Sequence, residues 1–171
     1  MYITYFVNMQ KEIDKELSYV EWKGYQGDKS HTGRLRFARG TLTFEGKKPV
    51  GGTLELDMDS LAIDKMEDQP KDREDLRKHL RSPDFFEIDR YPVAEFEIEE
   101  VMPTASAKKY SIIGELKVKD QTITISTMAN IKVTAHGTVS ADAKLKLDKN
   151  DLNIAYEDID DILTIKIHLE A

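Results

Sequence analysis

Residues 139–148 read VSADAKLKLD, and this stretch decides the fold. Every second residue from Val139 to Leu147 is apolar, and the residues between them are polar or charged. Side chains on a β-strand point alternately to opposite faces, so the pattern predicts a strand with one face toward a core and one toward water. Strands of this kind are typical of antiparallel sheets.

The same two-residue alternation recurs at residues 54–59, 94–99 and 163–170. Shorter segments that fit the same template bring the total to about eight or nine strands with short connections. A sheet of this size with one polar face must hide the other, either as a sandwich or as a barrel. Closure also removes exposed edges, so we predict an all-β fold, an eight-stranded antiparallel barrel formed by a single domain over residues 1–171.

Three short polar segments are predicted as turns between strands. Arg39-Gly40 separates two apolar pairs and is interpreted as a hairpin turn. Lys119-Asp120-Gln121 and His136-Gly137 are interpreted in the same way. Glycines such as Gly46 are expected at turns or bulges.

Residues 69–82 break the alternation and are rich in strong helix formers. Pro70 suits the first position of a helix, and the residue before Pro83 avoids the helical region. We therefore predict one short α-helix in the 69–82 region. Ser82 is expected to cap a short turn that contains Phe85 and Phe86.

The composition excludes several classes of protein. The chain has 171 residues, 40% of them apolar and 33% charged, with a formal net charge of -7. A nucleic-acid-binding protein would show a basic stripe, and an acidic chain is repelled by an anionic bilayer. We therefore expect neither nucleic-acid binding nor stable membrane insertion. Without cysteine, disulfides and thiol nucleophiles are excluded.

The N-terminal residues 1–7 are apolar, but no basic segment precedes them and no small-residue cleavage site follows. They do not match a signal peptide. The expected location is the cytoplasm, with the periplasm as the alternative if the natural start is longer.

A long ordered pattern resembles a known family. It consists of RKHLRSPDFF at residues 77–86, Tyr91-Pro92, Phe96 and GELKV at residues 114–118. This order is similar to the YceI-like family, also called polyisoprenoid-binding proteins of lipocalin-like fold. Residues 18–24 resemble the first barrel strand of the family, and Lys149 stands where the family usually has arginine.

The resemblance implies an extended barrel with a hydrophobic tunnel that holds a long-chain isoprenoid, an isoprenoid quinone or a fatty-acid-like lipid. It implies no catalytic residue and no cofactor. The alternative from the residues alone is that the apolar side chains only pack against one another, since protein cores are normally close-packed. The predicted tunnel residues are Trp22, Phe37, Phe44, Leu54, Leu56, Met58, Phe85, Phe86, Phe96, Ile98, Tyr110, Ile112, Ile125 and Ile131.

Four basic side chains are candidates for contact with a ligand head group: Arg77, His79, Arg81 and Lys149. The first three belong to the predicted helix, where cations at the tunnel mouth would meet a phosphate or carbonyl. The alternative is a solvated helix with weak ion pairs between residues three or four positions apart.

No pattern for catalysis or metal binding is present. The four histidines lack ligand spacing, and the alternation places Glu95, Glu97 and Glu99 on the outer face in water. A lipid-binding barrel is therefore the leading hypothesis, and a structural or protein-interaction barrel with a packed interior is the alternative. A small enzyme that uses the barrel mouth is a third hypothesis, and pairing into a homodimer stays open.

Overall fold

The computed structural model describes residues 8–65, 70–154 and 159–171, with the backbone alone for Lys65, Pro70 and Lys71. Its main elements are nine strands, one α-helix and one 3-10 turn. In chain order they are β1 (Asn8–Glu12), β2 (Tyr19–Gln26), β3 (Lys29–Glu45), β4 (Lys48–Lys65), α1 (Pro70–Arg81), β5 (Val93–Pro103), β6 (Lys109–Val118), β7 (Gln121–Val133), β8 (Val139–Asp148), the 3-10 turn (Lys149–Leu152) and β9 (Ile162–Glu170).

The strands form one antiparallel sheet that closes on itself. Strand order runs β3-β2-β9-β8-β7-β6-β5-β4, and β4 returns to pair with β3, which completes a ring of eight strands. The extra strand, β1, pairs with the second half of β3 from Asn8 opposite Glu45 to Glu12 opposite Thr41. The predicted eight-stranded antiparallel barrel is confirmed.

The predicted hairpin at Arg39-Gly40 is wrong, because β3 continues through these two residues. Arg39 pairs with Glu55 and Gly40 with Leu54 in the ladder with β4, directly after a shift of register between Phe37 and Arg39. A Cβ at Gly40 would lie 2.7 Å from the Leu54 side chain and 2.8 Å from Ile13, so this glycine allows close packing. The turn lies at Gly46, whose φ is 62°.

The two later turns fall where they were predicted. Val118 pairs with Gln121 across Lys119-Asp120, and Lys119 adopts a left-handed φ of 56°. Gly137, with φ 86°, lies in the turn between β7 and β8.

Alternation along the strands separates an apolar interior from a charged outer wall. In β8, Val139, Ala141 and Leu147 are buried, while the lysines between them are exposed. Glu95, Glu97 and Glu99 of β5 are all exposed, as expected. The inner faces of the strands therefore meet in one hydrophobic core.

Helix α1 and the turns that follow it lie against one end of this core. Leu80 is buried at 3% exposure, and Phe85 and Ile88 are buried at 1%. The helix ends as predicted, but the expected Ser82 side-chain cap is wrong. The backbone carbonyl of Ser82 accepts from Phe85 N at 3.1 Å, whereas its hydroxyl is buried without a hydrogen-bond partner among the described residues.

Candidate functional site

Three cavities lie inside the barrel, and shared lining residues place them in a row. The central cavity measures about 120 Å³, and each of its two neighbours measures about 60 Å³. The distal cavity shares Leu54, Phe96, Thr127 and Ile167 with the central cavity. The helix-end cavity, which Leu80 of α1 lines, shares Leu35, Phe86, Leu163 and Ile165 with it.

Aromatic rings stand at both boundaries between the cavities. Phe96 lines both the distal and the central cavity, and its ring lies over Gly114 of β6, where a Cβ would come within 2.8 Å of the ring. Phe86 lines both the central and the helix-end cavity and packs edge-on against Phe85, with ring centroids 4.7 Å apart. These two phenylalanines are the aromatic residues that neighbouring cavities share.

The cavity walls are almost entirely aliphatic and aromatic. Binding an apolar molecule in such an interior is favourable, because the apolar surface of that molecule is removed from water. Burying a charged group there would cost free energy, because almost no polar group compensates for the lost water. Ligand pockets for small molecules usually measure about 300–1,000 Å³, so a long ligand has to displace side chains at Phe96 and Phe86. The arrangement is suited to a slender hydrocarbon chain.

The predicted tunnel residues come together in this interior, with one exception. Phe44, Ile98, Ile112 and Ile131 line the distal cavity, and Trp22 and Phe85 line the helix-end cavity. The others line the central cavity or a boundary: Phe37, Leu54, Leu56, Met58, Phe86, Phe96 and Ile125. The exception is Tyr110 of β6, which is half-buried and pairs with Ala129 of β7. It lines none of the three cavities.

The predicted tunnel residues include none from β8 or β9, although the alternation in both strands predicts one face toward the core. Leu145 and Leu147 of β8, and Leu163, Ile165 and Ile167 of β9, line the central cavity. Their alternation was recognised as a strand signal, and the same signal could have identified them as lining residues. His31 of β3, buried at 4% exposure in the helix-end cavity, was also missed.

The three predicted head-group residues of the helix, Arg77, His79 and Arg81, line none of the three cavities. Arg77 is exposed, and the His79 ring meets the edge of Phe85 with centroids 6.2 Å apart. Arg81 Nη2 lies 2.6 Å from Asp59 Oδ1 and 3.5 Å from Asp89 Oδ1. The hydrogen bond to Asp59 raises the pKa of Arg81 above its usual value. Arg81 thus ties the helix to β4.

Lys149 is buried at 4% exposure in the 3-10 turn after β8. Its Nζ donates to the carbonyl oxygen of Ile159 and lies 3.3 Å from Asp161 Oδ1. These contacts join the turn to the start of β9. None of the four predicted head-group residues lines an interior cavity described above.

A wider depression lies on the outer wall and differs in character from the interior. It measures about 430 Å³, and polar and charged side chains of β2, β7, β8 and β9 line much of it, among them Lys144, Lys166 and His168. His168 Nδ1 lies 2.8 Å from Asp142 Oδ1. Its polar walls do not suit an apolar chain.

Within residues 8–65, 70–154 and 159–171, no group of three or more histidine, aspartate or glutamate side chains is placed to hold a metal ion. In the same part of the chain, no helix combines the length and hydrophobicity required to cross a bilayer.

The fold and the cavities define a closed antiparallel barrel with an apolar lumen. The chain belongs to the YceI-like domain family, whose model matches residues 12–171. A comparison with curated proteins found no match.

Solved structures support the fold at low sequence identity. BcnA of Burkholderia cenocepacia is similar with a TM-score of 0.78 and 21% identity, over 93% of this chain and 99% of that chain. A polyisoprenoid binding domain from Saccharophagus degradans has a TM-score of 0.70 and 13% identity, over 93% and 95%. The Campylobacter jejuni YCEI protein has a TM-score of 0.56 and 16% identity, over 100% and 86%.

Proposed function

We propose that this protein binds a long-chain hydrophobic ligand inside its barrel and carries or stores it without chemical change. The ligand class is a polyisoprenoid, an isoprenoid quinone or a fatty-acid-like lipid. The observation that carries the proposal is the row of three apolar cavities enclosed by the closed sheet.

Hydrocarbon burial supplies enough free energy for such a ligand. Each buried CH₂ group contributes about 0.8 kcal/mol, so a chain of about ten buried carbons gains several kcal/mol without a hydrogen bond. Ordering the chain and moving the phenylalanines at the boundaries offset part of this gain. An interior of this kind needs few polar groups.

The family supports the same ligand class. The similar domain from Saccharophagus degradans is described as polyisoprenoid binding, and it shares the barrel fold with this chain. A tunnel suited to one slender chain agrees with a linear prenyl or acyl ligand better than with a broad, rigid one.

Organic extraction of the purified full chain, followed by mass spectrometry, tests the proposal. We expect a long-chain lipid in the extract, and uptake of added prenyl lipids by the extracted and refolded protein. Reproducible absence of lipid together with no uptake would contradict the proposal and favour a barrel with a packed interior.

A pair of variants on one strand sharpens this experiment. Phe96→Asp puts an unpaired carboxylate at the boundary of two apolar cavities, so it should abolish lipid retention. Glu97→Gln changes the exposed neighbour and should retain lipid as the wild type does. Circular dichroism establishes that both fold, and lipid retained by folded Phe96→Asp would contradict the assigned path.

A further inference from the structure

Two buried nitrogen atoms at one end of the barrel have no hydrogen-bond partner among the described residues. They are Nε1 of Trp22 and Nδ1 of His31. Nearly all buried polar groups in folded proteins are satisfied, because leaving one without a partner costs the full desolvation penalty. Two such atoms in one place therefore require an explanation.

Both side chains line the helix-end cavity, whose wall is apolar, so the two nitrogens lie just behind its surface. In the β2–β3 ladder, Trp22 pairs with Gly33 and Gly24 pairs with His31, so Trp22 and His31 are diagonal neighbours on the inner face. Gly33 leaves room for the indole, since a Cβ there would lie 2.7 Å from its ring. Leucine and phenylalanine side chains make up most of the remaining wall.

The chemistry of the two groups defines what they bind. The indole N–H of Trp22 is only a donor, and the ring of a neutral histidine either donates or accepts. A carbonyl oxygen can accept from both, and a hydroxyl can accept from Trp22 and donate to His31. No lysine or arginine lines this cavity in the described part of the chain. A phosphate or carboxylate would be buried there without a lysine or arginine beside it, at high cost in free energy.

We propose that Trp22 and His31 bind the neutral oxygen of the ligand's end group, a carbonyl or a hydroxyl, when that group enters the helix-end cavity and the neighbouring side chains move to uncover the two nitrogens. The inference rests on the proposed function, with the hydrocarbon chain running from this end into the central cavity. It makes both residues determinants of specificity, which select an alcohol, phenol or quinone over a phosphorylated or carboxylated lipid.

The chain offers a direct spectroscopic probe, because Trp22 is its one tryptophan. In a proton–nitrogen correlation spectrum of the full chain, a single indole N–H resonance therefore reports on this site. Three probes share the same branched carbon skeleton: phytol, phytane and phytanic acid. We expect phytol to shift the indole resonance downfield, because its hydroxyl oxygen accepts from the indole N–H. Phytane has no oxygen, so it should cause no such downfield shift. Phytanic acid, ionised at neutral pH, should bind at least about tenfold more weakly than phytol.

Variants separate the polar contacts from the packing. Trp22→Phe and His31→Leu should each lower the affinity for phytol about tenfold more than the affinity for phytane, which is the usual effect of one lost hydrogen bond to a buried partner. Leu61→Ala alters an apolar residue of the same cavity and should change both affinities alike.

The outcomes distinguish this inference from the proposed function. If none of the three probes binds, the proposed function fails and the inference fails with it. If phytol and phytane bind but the indole resonance moves equally with both, or the variants weaken both equally, the inference alone is overturned. A bound water would then be the partner of the two nitrogens.

Discussion

Large interior side chains sit over glycines of neighbouring strands. Trp22 of β2 lies over Gly33 of β3, and Phe96 of β5 lies over Gly114 of β6. A Cβ at Gly33 would lie 1.9 Å from the carbonyl oxygen of Ala62 and 2.7 Å from the indole ring. At these positions the absent side chain is what allows the ring to point into the lumen.

Gly33→Ala is therefore expected to destabilise the barrel by about 1–3 kcal/mol, because backbone and ring must both shift to admit the methyl group. Gly51→Ala is the matched control, since its Cβ would meet nothing closer than 3.4 Å. Urea unfolding followed by circular dichroism measures both. If Gly33→Ala left the free energy of unfolding unchanged, or lowered it no more than Gly51→Ala does, the close contact at Gly33 would not constrain the fold.

The sequence predicts most interior residues at this scale because strand alternation is local. It places Trp22, Phe37 and Phe96 inward, and the spacing from Phe37 back through Leu35 also puts His31 on that face. That Nδ1 of His31 has no hydrogen-bond partner among the described residues is a different kind of property. It depends on side chains from β9 and α1 that lie far away in sequence.

At the scale of elements, α1 is a short amphipathic helix attached to the barrel by one face. Leu80 is buried against the helix-end cavity and Leu76 is half-buried beside it, while Arg77 is exposed. The ion pair from Arg81 to Asp59 joins the end of the helix to β4. The helix thus forms part of the cavity wall.

Leu80→Ala should cost about 2–5 kcal/mol of unfolding free energy, because it removes a buried side chain and enlarges the cavity. Arg77→Ala, on the exposed face of the same helix, should change that free energy by no more than about 0.5 kcal/mol. Denaturant unfolding of the two variants tests the packing of α1. Equal effects would mean that the helix does not pack through Leu80.

The predicted hairpin at Arg39-Gly40 failed because a glycine can either form a turn or make room for a neighbouring side chain. Arg39-Gly40 has the composition of a turn, yet β3 continues through it because Gly40 makes room for Leu54 and Ile13. Gly46, six residues later, forms the turn with a left-handed φ. Local sequence does not separate a glycine that frees the backbone from one that admits a neighbouring side chain.

For the whole molecule, the closure of the sheet into a barrel can be predicted from the alternation of apolar and polar residues, but the cavities inside it cannot. Alternation in many segments requires a buried face, and a closed ring of eight strands satisfies it. The size of the lumen depends on how side chains from opposite strands fill it, as Phe96 and Phe86 do at the two boundaries. That arrangement is set by packing in three dimensions.

A crystal structure of the full chain with its extracted lipid tests the central claim most directly. We predict continuous density for one chain through the distal, central and helix-end cavities, with the rings of Phe96 and Phe86 turned aside to let it pass. Lipid bound on the outer wall, with the interior side chains unmoved, would contradict the account.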